Sequence, residues 1–387
     1  MDKKCLFENQ TGNRTPVSQR DCSLLDLIIS LLPGLKVTEK IMLMQTFDSQ
    51  EQLFVQSKND IELIIKRILL NYWDIGEIQE KAGRIDTICR MRSIKWVSWM
   101  ESDYPPLLRE TYDPPPVIYY RGALPNPVKP LLGMVGTRKP SPQAAEQAYK
   151  IAGNIGRKGV SVISGLALGI DSMSHRGNLI GGVPGYAVLG CGIDEIYPSV
   201  NKPLAKRILD SGGAIISEYP PGVRPGKWTF PARNRIIAAL SRSVLIVEAP
   251  KKSGALITAA FALEQGKDLW VASSGITEPV LPGGLNNQDY RPSFNREGTI
   301  KLANDGAQII HSALDVFENW NINVSHNKVK ASSAAFGENR EEMISSLANF
   351  LDLDVSAIST TKGCTTFGCI AEASMADELT ASSVNKT

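Results

Sequence analysis

The residues best equipped for chemistry gather between 220 and 240, where P-P-G-V-R-P-G-K-W-T-F-P-A-R-N-R-I-I-A-A-L leads from a Pro- and Gly-rich segment into an apolar run. Arg233, Asn234 and Arg235 carry many hydrogen-bond donors, and the change from irregular chain to apolar run predicts a helix start at residues 230–240. A helix start has free backbone N–H groups and a positive dipole end, so a phosphate or carboxylate is its natural ligand. A basic first turn that is merely solvated has the same composition, and this segment alone fits both readings equally. Asp171 and His175 are four residues apart, the spacing of one helix face, and could form an acid–base pair. The commoner use of that spacing is an Asp near a helix start that hydrogen-bonds the His. Cys191, between Gly190 and Gly192, has no identifiable His/Asp partner and reads as a small buried residue before it reads as a nucleophile.

Metal chemistry finds little support. Among six cysteines only Cys364 and Cys369 are close, as C-x-x-x-x-C, and His175, His311 and His326 are far apart, so no four-ligand set forms and neither a metal nor a disulfide framework is expected.

The elements that must position these residues follow a clear rhythm. From residue 131 short apolar strands (131–136, 160–163, 186–189, 214–217, 244–247, 269–272, 307–310) alternate with helical patterns. Ser141-Pro142 caps a helix whose Ala145, Ala148, Ile151, Ala152 and Ile155 share one face. Further helices are expected near Asp171 and at 204–209, 256–264 and 313–320. Such alternation predicts an α/β fold, an extended Rossmann-like, doubly wound, mainly parallel sheet covered on both faces. Ligands of such sheets bind beyond the carboxyl ends of the strands. Gly136-Thr137-Arg138, Ser164-Gly165, Gly190-Cys191-Gly192 and Glu218-Tyr219-Pro220 fall there.

Around this domain, assigned to 91–320, the chain divides further. Residues 1–22 are polar and aperiodic and read as a mobile arm. Residues 23–90 carry helical spacing interrupted by Pro33-Gly34, a small helical domain of helix-hairpin-helix or sterile-alpha-motif type. No basic residue occupies that turn before Lys36, which favours a packing or protein-contact module over a DNA contact. Residues 96–130 are rich in aromatics and prolines and add an edge strand, 117–120, to the next domain. Residues 321–337 read as linker and 338–387 as a degenerate or partial winged-helix region.

Net charge over the 387 residues is only +2, but residues 131–242 hold 14 Lys and Arg against 6 Asp and Glu, net +8, while residues 351–387 hold 2 against 5, net −3. The positive surplus sits where the strand ends converge and favours a polyanionic partner. No apolar run has the length of a membrane span, and Met1-Asp2-Lys3-Lys4 leads into no signal-peptide core, so a cytoplasmic location is expected.

A dinucleotide is the default ligand of this architecture, yet G-x-G-x-x-G is missing after the first strand, where G-M-V-G-T-R-K-P-S-P stands. The P-loop fails too: three residues separate Gly222 from Gly226, and Trp228 occupies the place of the magnesium-binding Ser or Thr. No cofactor is expected. What remains is a groove of glycine turns, helix starts and basic side chains, with Trp228 and Phe230 among Lys227, Arg233 and Arg235. That mixture suits single-stranded nucleic acid, phosphates on cations and bases on aromatics. Burial of Phe230 in the core fits the sequence about equally well.

The runs M-V-G-T-R-K-P-S-P, V-I-S-G-L-A-L-G-I-D-S-M-S-H-R-G, V-L-G-C-G-I-D-E-I-Y-P, I-I-S-E-Y-P-P-G, F-P-A-R-N-R-I-I-A-A-L-S and V-E-A-P-K-K-S-G-A-L-I-T-A-A-F-A-L-E-Q-G-K together resemble the DNA-processing protein A family (DprA, also called Smf). With D-Y-P-P-L-L and D-P-P-P-V-I-Y-Y-R-G before them, the resemblance covers about residues 24–320. It implies a homodimeric protein that binds and protects single-stranded DNA and helps load the RecA recombinase in natural transformation, without catalytic turnover. Carried over by position, Gly136, Thr137 and Arg138 hold a DNA phosphate, and Lys227, Phe230, Arg233, Asn234 and Arg235 form a nucleotide pocket. Ser164 and Gly165 belong to the same DNA-binding set, while Asp171, His175 and Gly190 shape loops.

The chain departs from the family pattern in places. Ser273-Ser274-Gly275 stands where V-P-G is usual, an apparent insertion follows at 276–292, and residues 361–387 lack the final helix of a winged helix. The rival reading is an enzyme. Leu281-Pro282-Gly283-Gly284 is similar to the start of the P-G-G-x-G-T-x-x-E signature of LOG or lysine-decarboxylase-like nucleotide hydrolases, but Leu285-Asn286-Asn287 breaks it.

Overall fold

The computed structural model describes residues 23–69, 73–277 and 296–322. The insertion at 276–292 lies almost wholly outside them. So do the N-terminal arm, nearly all of the linker, the C-terminal helical region, Cys364, Cys369, His326 and the Pro282-Gly283-Gly284 stretch.

By chain contacts the protein forms two compact units. One takes the chain as far as Tyr104 and adds Tyr112–Ile118; the other takes Pro105–Thr111 and continues from Tyr119. In the first, helices α1 (Ser23–Leu31), α2 (Val37–Thr46), α3 (Gln50–Phe54), α4 (Lys58–Ile65) and α5 (Ile75–Met91) precede strand β1 (Lys95–Ser98). Pro33-Gly34 ends the first helical segment as expected, with Gly34 at φ 73°. Ser49, Ser57 and Asp74 cap α3, α4 and α5 by accepting from first-turn backbone N–H groups. Leu25, Ile28, Leu43, Leu53, Ile61 and Ile85 fill this unit's core.

The second unit opens with the short α6 (Pro106–Arg109), followed along the chain by β2 (Val117–Gly122), which belongs to this unit from Tyr119, and then β3 (Leu131–Val135), α7 (Pro142–Gly156), β4 (Ser161–Ser164), α8 (Ile170–Ile180), β5 (Tyr186–Val188), α9 (Lys202–Asp210) and β6 (Ala214–Ser217). Then come α10 (Thr229–Leu240), β7 (Ser243–Ile246), α11 (Gly254–Glu264), β8 (Asp268–Ala272), α12 (Glu297–Asn304), β9 (Gln308–Ile310) and α13 (Ala313–Asn319). The strands lie in the order β2-β6-β5-β4-β3-β7-β8-β9. All neighbours are parallel except β2, which runs antiparallel to β6 with Arg121 opposite Ile215. This is the doubly wound, mainly parallel α/β sheet that the strand–helix alternation predicts. Strands β3 to β7 are buried along their whole length, which is why they read as unbroken apolar runs.

From β3 the chain winds outward through β4, β5 and β6, and from β7 it winds the opposite way to β8 and β9. The winding therefore reverses between β3 and β7, the place where such sheets open a crevice at their carboxyl ends. Helix α7 shows how the layer above is fixed. Ser141 accepts from the Ala144 N–H, Pro142 supplies a preset φ in the first turn, and Ala144, Ala148, Ile151, Ala152 and Ile155 point into the core. Its partner α8 approaches at backbone contact: a Cβ on Gly177 would lie 2.2 Å from the Tyr149 carbonyl oxygen, and one on Gly181 would lie 2.7 Å from Gly156 Cα. Below them Leu132, Met134, Val162, Leu245, Trp270 and Trp320 form one cluster, with the two Trp rings 6.0 Å apart and Trp320 Nε1 donating to Ser243 Oγ at 2.8 Å.

Candidate nucleic-acid interface

Four loops leave the carboxyl ends of β3 to β6, and glycines let them touch. A Cβ on Gly136 would come within 2.6 Å of Ile170 Cγ1 and 2.9 Å of the Glu248 carbonyl oxygen. The next residue, Thr137, is buried and donates its N–H to the Glu248 carbonyl at 2.7 Å, while its own carbonyl accepts from Ile170 N–H at 3.2 Å. Gly169, at φ 74°, lies so close that a Cβ there would sit 2.4 Å from the Thr137 carbonyl. This stack forces Arg138 outward: it is exposed, and its guanidinium carbon lies over the Phe230 ring, 6.0 Å from the centroid.

Phe230 is half-buried in the first turn of α10. Gly190 lies beneath it, since a Cβ there would be 2.7 Å from Phe230 Cδ1, and Tyr197 packs beside it at 5.4 Å between ring centroids, tilted 43°. Thr229 fixes the turn by donating to the Gly190 carbonyl and accepting from Gly226 N–H at 3.1 Å. Lys227 and Trp228, immediately before, are exposed. Of the expected site, the structure thus brings Arg138 onto Phe230 and leaves Lys227 open to solvent three residues upstream.

The triplet Arg233-Asn234-Arg235 behaves differently from the donor cluster its composition suggests. Arg233 is 6 % exposed, and its guanidinium donates inward to the Gly165 carbonyl at 2.7 Å, the Val188 carbonyl and Asn234 Oδ1. Asn234 is buried too and donates to the Gly254 carbonyl at 3.0 Å. Arg235 forms an ion pair with Glu218 at 2.7 Å, both side chains mostly buried. The triplet therefore ties the ends of β4, β5 and α11 together, because helix α10 lies against the sheet with this part of its first turns inward. Ser164 is likewise internal, donating to the Met134 carbonyl at 2.6 Å. Gly165 makes room for the guanidinium: a Cβ there would lie 2.2 Å from Arg233 Nη2.

Asp171 and His175 form no acid–base pair. Asp171 Oδ2 accepts from the Gly165 and Ala167 N–H groups at 3.1 and 3.4 Å, shaping the loop after β4. Burial raises its carboxyl above the ordinary range, with Arg233 and these amides opposing. Against the expectation of an Asp–His hydrogen bond, both ring nitrogens of His175 are buried without a hydrogen-bond partner among the described residues. Burial, reinforced by Arg233, pushes its imidazole down to about 3, so it is neutral at physiological pH. Cys191 is fully buried, donates Sγ–H to the Glu195 carbonyl at 3.2 Å, and is pushed up to about 11 by burial and the nearby Glu195. Asp171, His175 and Cys191 are thus all buried in the scaffold.

Several positioning residues escape the sequence reading. Glu248, two residues past β7, is fully buried, and its Oε2 accepts from Ser141 N–H at 2.7 Å, while its backbone carbonyl holds Thr137. Its one outward signal is a carboxylate ending an apolar run. Asn201 is buried and donates to the Leu166 carbonyl at 2.8 Å, where Leu166 holds φ 55°. Tyr197 is found through its neighbour Phe230.

A cavity of about 380 Å³ lies elsewhere, lined by Gln143, Gln147, Lys150, Ser273, Thr277 and His311. Gln147 spends its amide on Ser273, the Ile310 and His311 carbonyls and Ser274 N–H, so these walls are held by their own bonds. Among the described residues no cluster of His, Cys, Asp or Glu is arranged to hold a metal, and no helix is long and apolar enough to cross a membrane.

Fold and site define a Rossmann-like α/β protein with an exposed cation, Arg138, seated on an aromatic ring at the carboxyl ends of its strands. Residues 95–321 match the family model of DNA recombination-mediator protein A, and the chain belongs to that family. It is 42 % identical over 216 residues to the Smf protein of Synechocystis, covering 55 % of this chain and 50 % of that protein. The DNA processing protein DprA of Bacillus subtilis is 35 % identical over 246 residues, covering 63 % of this chain and 77 % of the relative. The chain thus spans half the length of the cyanobacterial relative and about three quarters of the Bacillus one. The X-ray structure of DNA processing protein A from Streptococcus pneumoniae superposes with a TM-score of 0.57 at 30 % identity, covering 77 % of this chain and 96 % of that one.

Proposed function

We propose that this chain is a DNA-binding recombination mediator that holds single-stranded DNA along the carboxyl ends of β3 to β6, protects it, and passes it to the RecA recombinase, acting as a homodimer without catalytic turnover. The observation that carries the reading is the placement of exposed Arg138 on Phe230, with exposed Lys227 just upstream in the same turn that builds the aromatic site. A cation on an aromatic face is suited to a sugar-phosphate chain whose bases are unpaired: the phosphate meets the charge and the base meets the ring. The family names of the relatives, DNA processing and DNA recombination mediation, support the DNA partner. The homodimer and the RecA partner rest on family resemblance, and the sealed positions of Asp171, His175 and Cys191 support binding over turnover.

The test is a fluorescence-anisotropy titration of a labelled oligothymidylate against a duplex of equal length, repeated from low to physiological salt. Single-strand binding that weakens steeply with salt is expected. Binding that is absent, or indifferent to salt, overturns the reading.

A further inference from the structure

The stretch that builds the Phe230 turn also displays a second aromatic, Trp228. Trp228 is 87 % exposed, one residue past exposed Lys227 and two before Phe230. A tryptophan held out in water among cations, next to the turn that carries Phe230, offers an uncovered π-face to a flat ligand. Its backbone is fixed. Trp228 is the N-cap residue of α10, at φ −94° and ψ −26°, and the next residue, Thr229, is tied to Gly190 and to both backbone groups of Gly226. An aromatic on a pinned stem loses little freedom when a flat partner lies on it. Phe230, by contrast, is only half-exposed, with Arg138 over its ring, Tyr197 beside it and Gly190 behind it, so a base meets only the part left open. The charge around Trp228 is suited to a polyanion: Arg224 and Lys227 are exposed, and no Asp or Glu occurs from 219 to 247.

We propose that Trp228 is a second base-stacking platform, outside the Phe230 position, which takes an unpaired base of any sequence and so favours single-stranded over duplex DNA. This rests on the single-strand reading above. Every base has a π-face, so stacking is sequence-tolerant, and duplex bases keep theirs covered.

The test compares wild type, Trp228→Ala and Trp228→Phe with an oligothymidylate, a duplex, and a strand carrying a central run of abasic sites. Trp228→Ala is expected to keep the wild-type melting temperature and to weaken oligothymidylate binding about 10-fold, with an unchanged salt slope. Trp228→Phe is expected to recover most of the loss. Duplex and abasic-strand affinities are expected to be the same for all three proteins. Oligothymidylate should quench tryptophan emission in wild type and much less in Trp228→Phe. If Trp228→Ala binds oligothymidylate like wild type while Arg138→Ala binds weakly, the platform is overturned and the single-strand reading stands. An equal loss on duplex and abasic strands, or a change of oligomeric state without a change in DNA affinity, also overturns it. If wild type binds no oligothymidylate, both fail together.

Discussion

Arg233 occupies the space that Gly165 leaves empty. A Cβ at position 165 would stand 2.2 Å from Arg233 Nη2 and 2.4 Å from its Cζ, and the same guanidinium donates to the Gly165 carbonyl. Because the guanidinium is also bonded to the Val188 carbonyl and to Asn234, it has nowhere to retreat. Gly165→Ala is therefore expected to cost about 1–3 kcal/mol by overpacking. Arg233→Ala, which strands two buried carbonyls and an amide oxygen, is expected to cost about 3–5 kcal/mol. Urea denaturation read by circular dichroism measures both; wild-type stability in either variant contradicts the buried tie.

Arg138 lies on the other side of that division. It is exposed, and its nearest described aromatic contact is the Phe230 ring, so the fold gains little from it. Arg138→Ala is expected to melt within about 2 °C of wild type. It should also weaken oligothymidylate binding and lower the slope of log K against log salt by about 0.7, the share of one phosphate contact on a single strand. Lys227→Ala is expected to do the same. A variant that binds normally, or that loses stability along with affinity, removes that side chain from the ligand face.

The contrast between these arginines shows what the sequence reveals and what it withholds. The sheet is legible because β3, β4, β6 and β7 are buried on both faces and so read as short apolar runs, and because Ser141-Pro142 announces the start of α7. The strand ends follow from the topology, and with them the neighbourhood of Gly136, Thr137 and Arg138. The roles within R-N-R are not legible. From Ile236 to Leu240 every residue of α10 is buried, so the helix has no polar stripe from which to tell which way Arg233 or Asn234 points. Glu248 and His175 are hidden for a related reason: each acts through its burial, which depends on chain segments far away in sequence.

His175 makes the stability of the fold depend on acid. The unfolded chain takes up the imidazole proton near 6.5, whereas the folded protein resists it until about 3. A folded value below the unfolded one means that the unfolded state binds more protons in this interval, so stability is complete above about pH 6.5 and falls as pH drops, by about 1.4 kcal/mol per pH unit. Asp171, with its folded value raised, works in the opposite direction in the acidic part of the range, and an arginine such as Arg233 takes no part in an acid titration. The His contribution is therefore isolated by difference. Between pH 6 and 4.5 the stability of His175→Gln should fall less steeply than that of wild type, in paired urea titrations; parallel curves would show that His175 is not held neutral by its burial.

Glu248 holds the loop that presents Arg138 from two sides, through its carbonyl to Thr137 N–H and its carboxylate to Ser141 N–H. Burial raises its carboxyl above the usual range, which makes a neutral acceptor in its place inexpensive. Glu248→Gln keeps an oxygen for Ser141 and is expected to change stability by less than about 1 kcal/mol and to bind oligothymidylate like wild type. Glu248→Ala removes the acceptor, leaves the Ser141 N–H buried and unpaired, and is expected to cost about 1–3 kcal/mol. With the loop less firmly held, Arg138 loses its fixed place over Phe230, so affinity should fall. The salt slope is expected to stay nearer to wild type than in Arg138→Ala, because the charge is still present. Denaturation and anisotropy titrations on the two variants decide it: equal behaviour of Gln and Ala would mean that Thr137 and Gly169 hold the loop without the carboxylate.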